Sequence, residues 1–177
     1  MKTFKHYINE IGGLRFTYDN LKLNSGIGRT KLLNSELLNR KFELKHAFDA
    51  LAETVEFISN KKNKDCLDKL AHHLYEINDI YSSIKNLTTS HIADDIELFE
   101  IKKFSLISQK ISELLESNGY FQIMLRDLTE VIDILDPEKS RIPSFYIYSA
   151  YNEDLKNIRK LKDEATDSET IEKLRLQ

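Results

Sequence analysis

Hydrophobic residues recur at intervals of three and four along most of the chain, the spacing that marks one face of an amphipathic α-helix. The first stripe lies between Glu36 and Ile58 and consists of Leu44, Phe48, Leu51, Val55 and Ile58. Two more stripes follow, an unbroken one over 67–87 and a longer one over 92–114. A fourth helical run extends from Phe121 to Leu135. These patterns predict an all-α fold.

Turn residues separate the predicted helices. The polar cluster at 59–65 ends the first helix, Asn118-Gly119 ends the third, and Asp136-Pro137 ends the fourth. Because helices joined by short turns usually lie antiparallel, we expect an elongated bundle of long antiparallel helices. Leu74 and Ile96 lie on the apolar stripes, and we expect both side chains in the core of this bundle.

The segment after Asp136-Pro137 departs from the helical pattern. The stretch RIPSFYIYSAY at 141–151 combines aromatic and β-branched residues with a proline, which predicts a short extended segment near 142–149. Asn152 suits the N-cap of a final helix, because Glu153 and Asp154 would then lie in its first turn. The sequence ends within this helical pattern, from which we expect the protein to continue beyond Gln177.

Composition narrows the class of protein. Of the 177 residues, 31% are charged and 41% are hydrophobic, which is typical of a helix-rich globular chain. The sequence has no run of 18 apolar residues, and its first ten residues lack the apolar stretch of a signal peptide. We therefore expect neither a membrane span nor secretion. The single cysteine, Cys66, excludes an internal disulfide and favours a cytoplasmic location.

Charge is distributed unevenly along the chain. Residues 1–45 contain nine basic and four acidic side chains, a net charge of +5, whereas residues 46–100 contain five basic and eleven acidic ones, a net charge of −6. The whole chain carries −3, which does not fit a general nucleic-acid-binding domain with a basic face. We expect most of these charges to lie on solvated helix surfaces.

The stretch NSGIGRTKLL at 24–33 is the first candidate for a binding site. A phosphate-binding loop needs the pattern G-x-x-x-x-G-K-[ST], but here Gly26 and Gly28 are only two positions apart and Lys31 precedes a leucine. The dinucleotide pattern G-x-G-x-x-G also fails, because Lys31 occupies the position of its third glycine. We interpret the stretch as the approach to a helix.

The densest acidic cluster consists of Asp94, Asp95, Glu97 and Glu100, and carboxylates in such a group can bind a divalent cation. The competing interpretation is a helix start, where acidic side chains are favoured without a metal. Lys102 and Lys103 would then pair with the glutamates on the helix surface. We favour the helix start.

Histidine and cysteine residues give no stronger candidate. His72 and His73 are adjacent on a helix and point in different directions, so they do not readily share a metal. His73 and Glu76 reverse the order found in di-iron bundles, and a second copy of the motif is missing. The acidic residues beside Cys66 raise rather than lower the pKa of a thiol, which argues against a nucleophile.

The aromatic residues near the C-terminus could stack on nucleic-acid bases, although we favour a role in pinning the extended segment onto the core. They are Phe145, Tyr146, Tyr148 and Tyr151. Taken by themselves, the residues of this chain predict no catalytic, cofactor-binding or metal-binding site.

Four segments, in order along the chain, resemble the MutS family of DNA mismatch-repair ATPases. SGIGRTKLLNSELLN at 25–39 is similar to the opening of the family's core domain, and LAHHLYEINDIYSSIKNL at 70–87 resembles one of its core helices. DDIELFEIKKF at 94–104 is similar to a subset of shorter members that lack the mismatch-reading front end. AYNEDLKNIRKLKDEA at 150–165 resembles the passage from core into clamp.

The resemblance implies three regions: a lead-in over 1–35, a helical core and lever over 36–150, and the start of a lever or clamp helix over 151–177. It implies that this chain is not an enzyme, holds no cofactor and binds DNA weakly. In the family, the lever links a DNA clamp to an ATPase that dimerises. ATP and Mg²⁺ would therefore belong to a domain beyond Gln177, and the whole protein would be a homodimer.

Two other functions stay open at this point. A stand-alone helical scaffold would bind protein partners in the grooves between its helices. A metal-dependent enzyme would use the acidic cluster at 94–100, although the set of ligands expected for a metal is incomplete.

Overall fold

The computed structural model describes residues 2–89, 92–123 and 125–175, the last eight of them by their backbone alone. Within these ranges the regular structure is helical and no strand forms, which confirms the predicted all-α class. The elongated antiparallel arrangement stays a prediction. The α-helices are α1 (Phe4–Glu10), α2 (Leu14–Asn20), α3 (Gly26–Asn34), α4 (Lys41–Ser59), α5 (Lys64–Glu76), α6 (Tyr81–Leu87), α7 (Asp95–Ser117), α8 (Thr129–Leu135) and α9 (Glu153–Arg175).

The first three helices contact one another, and the two ends of this region are joined by backbone pairing. Thr3 and Glu36 form an isolated antiparallel bridge, beside which the Phe4 N–H donates to the Ser35 carbonyl at 2.8 Å. Ser25 caps α3 by accepting a hydrogen bond from the Gly28 N–H at 3.0 Å. A Cβ at Gly28 would lie 2.9 Å from the Ser25 hydroxyl, so the glycine permits this close cap. The stretch at 24–33 is thus the start of a helix.

One cluster of buried hydrophobic residues lies on α7 and on Tyr120, three residues after the end of that helix. One turn after another of α7 contributes a buried side chain, and α5 packs against them. This arrangement follows from the long stripe predicted in the sequence, because residues three and four apart share one helix face. The buried core residues are Ile107, Ile111, Leu115 and Tyr120, with Phe57, Leu70, Leu74, Ile77 and Leu125 packed around them.

Both ends of α7 are fixed by local hydrogen bonds. Asp94 and Glu97 form a capping box, in which each side chain accepts a bond from the other residue's backbone N–H. At the other end Gly119 has a φ of 72°, and the Tyr120 N–H donates to the Leu115 carbonyl at 2.9 Å. This is the left-handed helix stop that glycine favours, and it confirms the end predicted at Asn118-Gly119.

The prediction that the second helix is continuous is wrong. The helix expected over 67–87 is interrupted at 77–80, between α5 and α6. The Asp79 side chain accepts a hydrogen bond from the Tyr81 N–H at 2.9 Å, and the Asn78 amide donates to Glu100 at 2.8 Å. Short polar side chains of this kind compete with the helical hydrogen bonds of the backbone, which accounts for the break.

The fourth predicted helix is shorter than expected. Among the described residues of 121–135, only those of α8 are helical, and Phe121 before it is 68% exposed. The Asp127 carboxylate accepts hydrogen bonds from the Thr129 N–H and hydroxyl, at 2.9 and 2.6 Å, and so begins a new helix at that point. The segment expected to be extended near 142–149 is irregular over 141–148 and then forms one 3-10 turn at Ser149–Tyr151.

The apolar stripe of α4 does not face the core as the pattern predicted. Its five side chains are between 36% and 65% exposed. α4 contacts the core through a different, more polar face: the Thr54 hydroxyl lies 2.8 Å from the Tyr120 hydroxyl, and the rings of Phe57 and Tyr120 are 4.7 Å apart. Within the described ranges, no helix is both long enough and apolar enough to cross a membrane.

Ile96 is exposed, although the sequence pattern placed it in the core, and it therefore supplies a control for the prediction about Leu74. Ile96 is 67% exposed, whereas Leu74 packs against the buried core. We expect Leu74→Asp to lower the free energy of unfolding by more than about 2 kcal/mol, because it places a charge among apolar side chains. Ile96→Asp adds the same charge at an exposed position. Thermal denaturation followed by circular dichroism would refute this core assignment if the two variants melt together.

Candidate functional site

The most unusual side chain in the structure is a lysine that has no contact with water. Lys102 lies in the second turn of α7, and its side chain is fully buried. Its ammonium group donates three hydrogen bonds: to Asp136 Oδ1 at 3.1 Å, to the Ser144 carbonyl at 2.8 Å and to the Tyr148 hydroxyl at 2.8 Å. Because an ammonium has three N–H groups, every donor of Lys102 is used. We call Lys102, Asp136 and Tyr148 the Lys102 cluster.

Asp136 is the anionic member of the cluster and follows directly after α8. Its carboxylate accepts from the Ser140 N–H at 3.2 Å, from the Ser140 hydroxyl at 2.8 Å and from the Arg141 N–H at 2.7 Å, in addition to the bond from Lys102. Burial disfavours its ionised form. The hydrogen bonds from Arg141, Ser140 and Lys102 outweigh burial and hold the pKa of Asp136 well below its usual range.

The turn around Asp136 has an unfavourable backbone conformation. Lys139 and Arg141 have φ angles of 54° and 56°, in the left-handed region that residues with a Cβ rarely adopt. Each such residue costs roughly 1–2 kcal/mol. The carboxylate of Asp136 accepts backbone hydrogen bonds from within this turn, at Ser140 and Arg141, and so stabilises the strained conformation. The same turn also orients the carboxylate toward Lys102 of α7.

Tyr148 is the aromatic member of the cluster and is also fully buried. Its hydroxyl donates to Asp136 Oδ1 at 3.3 Å, and its ring lies 5.3 Å from the Lys102 ammonium. Three further aromatic side chains lie close to its ring. Their ring centroids lie 4.1 Å (Tyr146), 5.6 Å (Tyr151) and 6.3 Å (Phe145) from that of Tyr148.

Two of these tyrosines tie the segment to α8 and the turn after it. The Tyr151 hydroxyl donates to the Ile134 carbonyl at 2.7 Å, and burial raises the pKa of Tyr151. The Tyr146 hydroxyl donates to Glu138 at 2.8 Å, and this bond to a carboxylate raises the pKa of Tyr146 to about 12. The aromatic residues therefore fix the path of the chain into α9.

The start of α9 is held by two further sets of hydrogen bonds. The Asn152 side chain accepts from the Leu155 N–H at 3.0 Å, which confirms the predicted N-cap. The Arg159 guanidinium donates to the Ile147 carbonyl at 2.8 Å and to the Ser149 hydroxyl at 3.1 Å. Residues 160–167 of α9 are exposed. The segment that carries Tyr148 thus leads into a helix that is anchored at its first two turns.

The chemistry of the cluster fits a structural joint better than a reaction centre. Lys102 and Tyr148 have no exposed surface, and Asp136 is 1% exposed, so a substrate in solvent cannot reach any of them. Each polar group already has a hydrogen-bond partner, and every donor of the cluster is used, which leaves none for a ligand. What the arrangement does is join α7, the turn after α8 and the segment leading into α9.

The residues considered as metal ligands lie apart from this cluster. Asp94 and Glu97 form the capping box of α7, Asp95 accepts from the Ile96 N–H, and Glu100 accepts from Asn78. His72 and His73 each lie within 4 Å of Glu76 on α5. In the part of the chain that the structure describes, no group of three or more His, Cys, Asp or Glu side chains is arranged to hold a metal ion.

Cys66 is buried in α5, and its surroundings disfavour the thiolate. Burial raises the pKa of the thiol, the charge of Asp65 raises it further, and Lys69 opposes both. The direction agrees with the expectation from the acidic neighbours in the sequence, although burial is the larger cause.

Lys102 itself was assigned by the sequence pattern to a surface pair with an acidic residue of the same helix, and this expectation is wrong. Its partner, Asp136, lies 34 positions away in the sequence and was expected only to end a helix. One signal was available: Lys102 lies next to Ile101 and one turn after Leu98, within an apolar stripe. A charge in such a position needs a buried counter-charge.

Comparisons of the chain with known protein families, with curated proteins and with solved structures gave no match. The fold and the site by themselves define an all-α protein in which a buried lysine, aspartate and tyrosine join three segments of the chain.

Removing the ammonium should show how much the joint contributes to stability. We expect Lys102→Met to lower the free energy of unfolding by about 3–5 kcal/mol, because it leaves the Asp136 carboxylate buried without its counter-charge. Urea denaturation measures the change. Lys110→Met is the matched control, since Lys110 lies on the same helix and is exposed. Equal stability of the two variants would contradict the role of the cluster.

The lowered pKa of Asp136 predicts how stability depends on pH. Because this pKa is lower in the folded chain than its ordinary value of 3.8, the carboxylate contributes stability that is complete above that value. The contribution is lost as the pH falls below it toward the folded pKa. In NMR spectra recorded from about pH 6 to about pH 3, the Asp136 carboxyl carbon should show no complete protonation step. A midpoint near 3.8 would refute the prediction.

Proposed function

We propose that this chain is the helical core and the beginning of the lever of a MutS-like, ATP-driven DNA-binding protein. In such a protein the lever transmits movement between a DNA clamp and an ATPase. The chain itself would be non-catalytic, and ATP and Mg²⁺ would bind to the ATPase. The proposal rests first on the four sequence segments that resemble the family, in their order along the chain.

The observation that carries the proposal is the attachment of one of those segments to the residues that directly precede another. Lys102 belongs to the segment at 94–104, and the chain around Tyr148 leads directly into the segment at 150–165. The Lys102 ammonium joins them through its bonds to the Ser144 carbonyl and the Tyr148 hydroxyl. A helix that passes from core to clamp needs a rigid attachment at its base, and the fully buried cluster has that property.

The exposed part of α9 is a second supporting feature. Its first two turns are attached through Asn152 and Arg159, whereas residues 160–167 are exposed to solvent. A lever needs this combination, since one end must be fixed and the rest must be free to contact another part of the machine. The unequal distribution of charge, +5 over 1–45 and −6 over 46–100, is consistent with only weak attraction to DNA.

The coding sequence downstream of codon 177 gives the most direct test. We expect an open reading frame that encodes further helices and then the ATP-binding pattern G-x-x-x-x-G-K-[ST]. The chain itself, titrated with fluorescently labelled duplex DNA, should bind weakly and lose affinity steeply between about 50 and 200 mM salt.

Two results would count against the proposal. A stop codon directly after codon 177 would remove the ATPase and favour a stand-alone scaffold that binds proteins. Tight, salt-resistant binding of DNA by this chain alone would contradict the expectation that the clamp lies elsewhere. An anisotropy titration with single-stranded DNA of the same length serves as the control for duplex preference.

A further inference from the structure

The apolar stripe of α4 forms a surface that its own chain leaves open. We call it the α4 seam, and its members are Leu44 (36% exposed), Phe48 (65%), Leu51 (55%), Val55 (54%) and Ile58 (54%). Isolated apolar side chains are normal on protein surfaces, but a contiguous row of five marks a surface for contact with another molecule.

The spacing of the seam indicates the kind of partner. Its members follow one another at intervals of 4, 3, 4 and 3 residues, which is the narrow repeat of a coiled-coil seam. Ala47 and Ala52 border it on either side and are too short to hinder the approach of another helix. A different face of α4 is already occupied within the chain, since Thr54 and Phe57 contact Tyr120. The seam therefore has the spacing and the flanking residues needed to pack against one additional helix.

We propose that this helix is α4 of a second copy, packed antiparallel about a two-fold axis at Leu51. The seam is close to symmetric about that residue: Leu44 lies seven positions before it and Ile58 seven after, and Phe48 and Val55 lie three before and four after. An antiparallel pair would place Leu44 opposite Ile58 and Phe48 opposite Val55. A surface that matches its own reverse is what a two-fold interface requires.

Charge complementarity favours the same orientation. Lys45 and Glu56 are both exposed and are 11 residues apart, which is close to three helical turns, so they lie along the same edge of the seam. In the antiparallel pair, Lys45 of each copy would face Glu56 of the other, giving two opposite-charge contacts. In a parallel pair this edge would instead face the opposite edge of the partner helix, so Lys45 and Glu56 would not meet.

The proposal uses none of the residues of the Lys102 cluster and does not depend on the proposed function. Sedimentation equilibrium of the chain, from low to high micromolar concentration, should show a monomer–dimer equilibrium. We expect Leu51→Lys to raise the dissociation constant at least about tenfold, because it places two ammonium groups together at the axis. Phe42→Lys is the control: Phe42 is 78% exposed and lies on another side of α4, so its dimer should persist.

Charge exchange tests the orientation. Lys45→Glu should weaken the dimer at low salt, and Lys45→Glu combined with Glu56→Lys should restore it. Oxidation should cross-link Leu51→Cys to itself but not Leu44→Cys, and the native Cys66 is buried. Circular dichroism should show unchanged folding, since the altered side chains are exposed. A monomer at all concentrations, a dimer unaffected by Leu51→Lys, or self-linking of Leu44→Cys would overturn the proposal.

Discussion

The arrangement of the C-terminal half depends on the ion pair between Lys102 and Asp136. Removing either charge from water costs several kcal/mol, and the cost is offset only when every hydrogen bond is made. Here the partners come from three separate segments: α7, the turn after α8 and the aromatic segment before α9. Since a shift of any one segment would leave a buried donor or acceptor without its partner, the pair specifies a single arrangement of all three.

The features that could be predicted from the sequence are those decided by neighbouring residues. The cap at Asn152 and the glycine stop at Gly119 depend on bonds within one turn, so their residue types are sufficient to locate them. The role of Lys102 depends on a partner 34 positions away. The sequence pattern paired Lys102 with the glutamates of its own helix, and only the packing of the chain reveals the distant partner.

The two faces of α4 show why an apolar stripe does not by itself locate the core. The pattern predicts the helix correctly, yet the face that meets the core is the one bearing Thr54 and Phe57. The hydroxyl of Thr54 is satisfied by Tyr120, so this more polar face can be buried without leaving an unpaired group. The apolar face is then left for an intermolecular contact. Periodicity predicts which side chains share one face of a helix. It does not predict the surface against which that face packs.

The proposed lever function gains physical content from the position of α7. Lys102 near its start contacts Tyr148 in the segment that leads into α9, and Leu115 near its end lies in the hydrophobic core with α5. Leu115 lies 13 positions after Lys102, which corresponds to roughly 20 Å of continuous helix. A displacement at the base of α9 cannot be absorbed by the buried cluster without breaking its hydrogen bonds. It would therefore be transmitted along α7 as the movement of a rigid element, which is the property that coupling between distant sites requires.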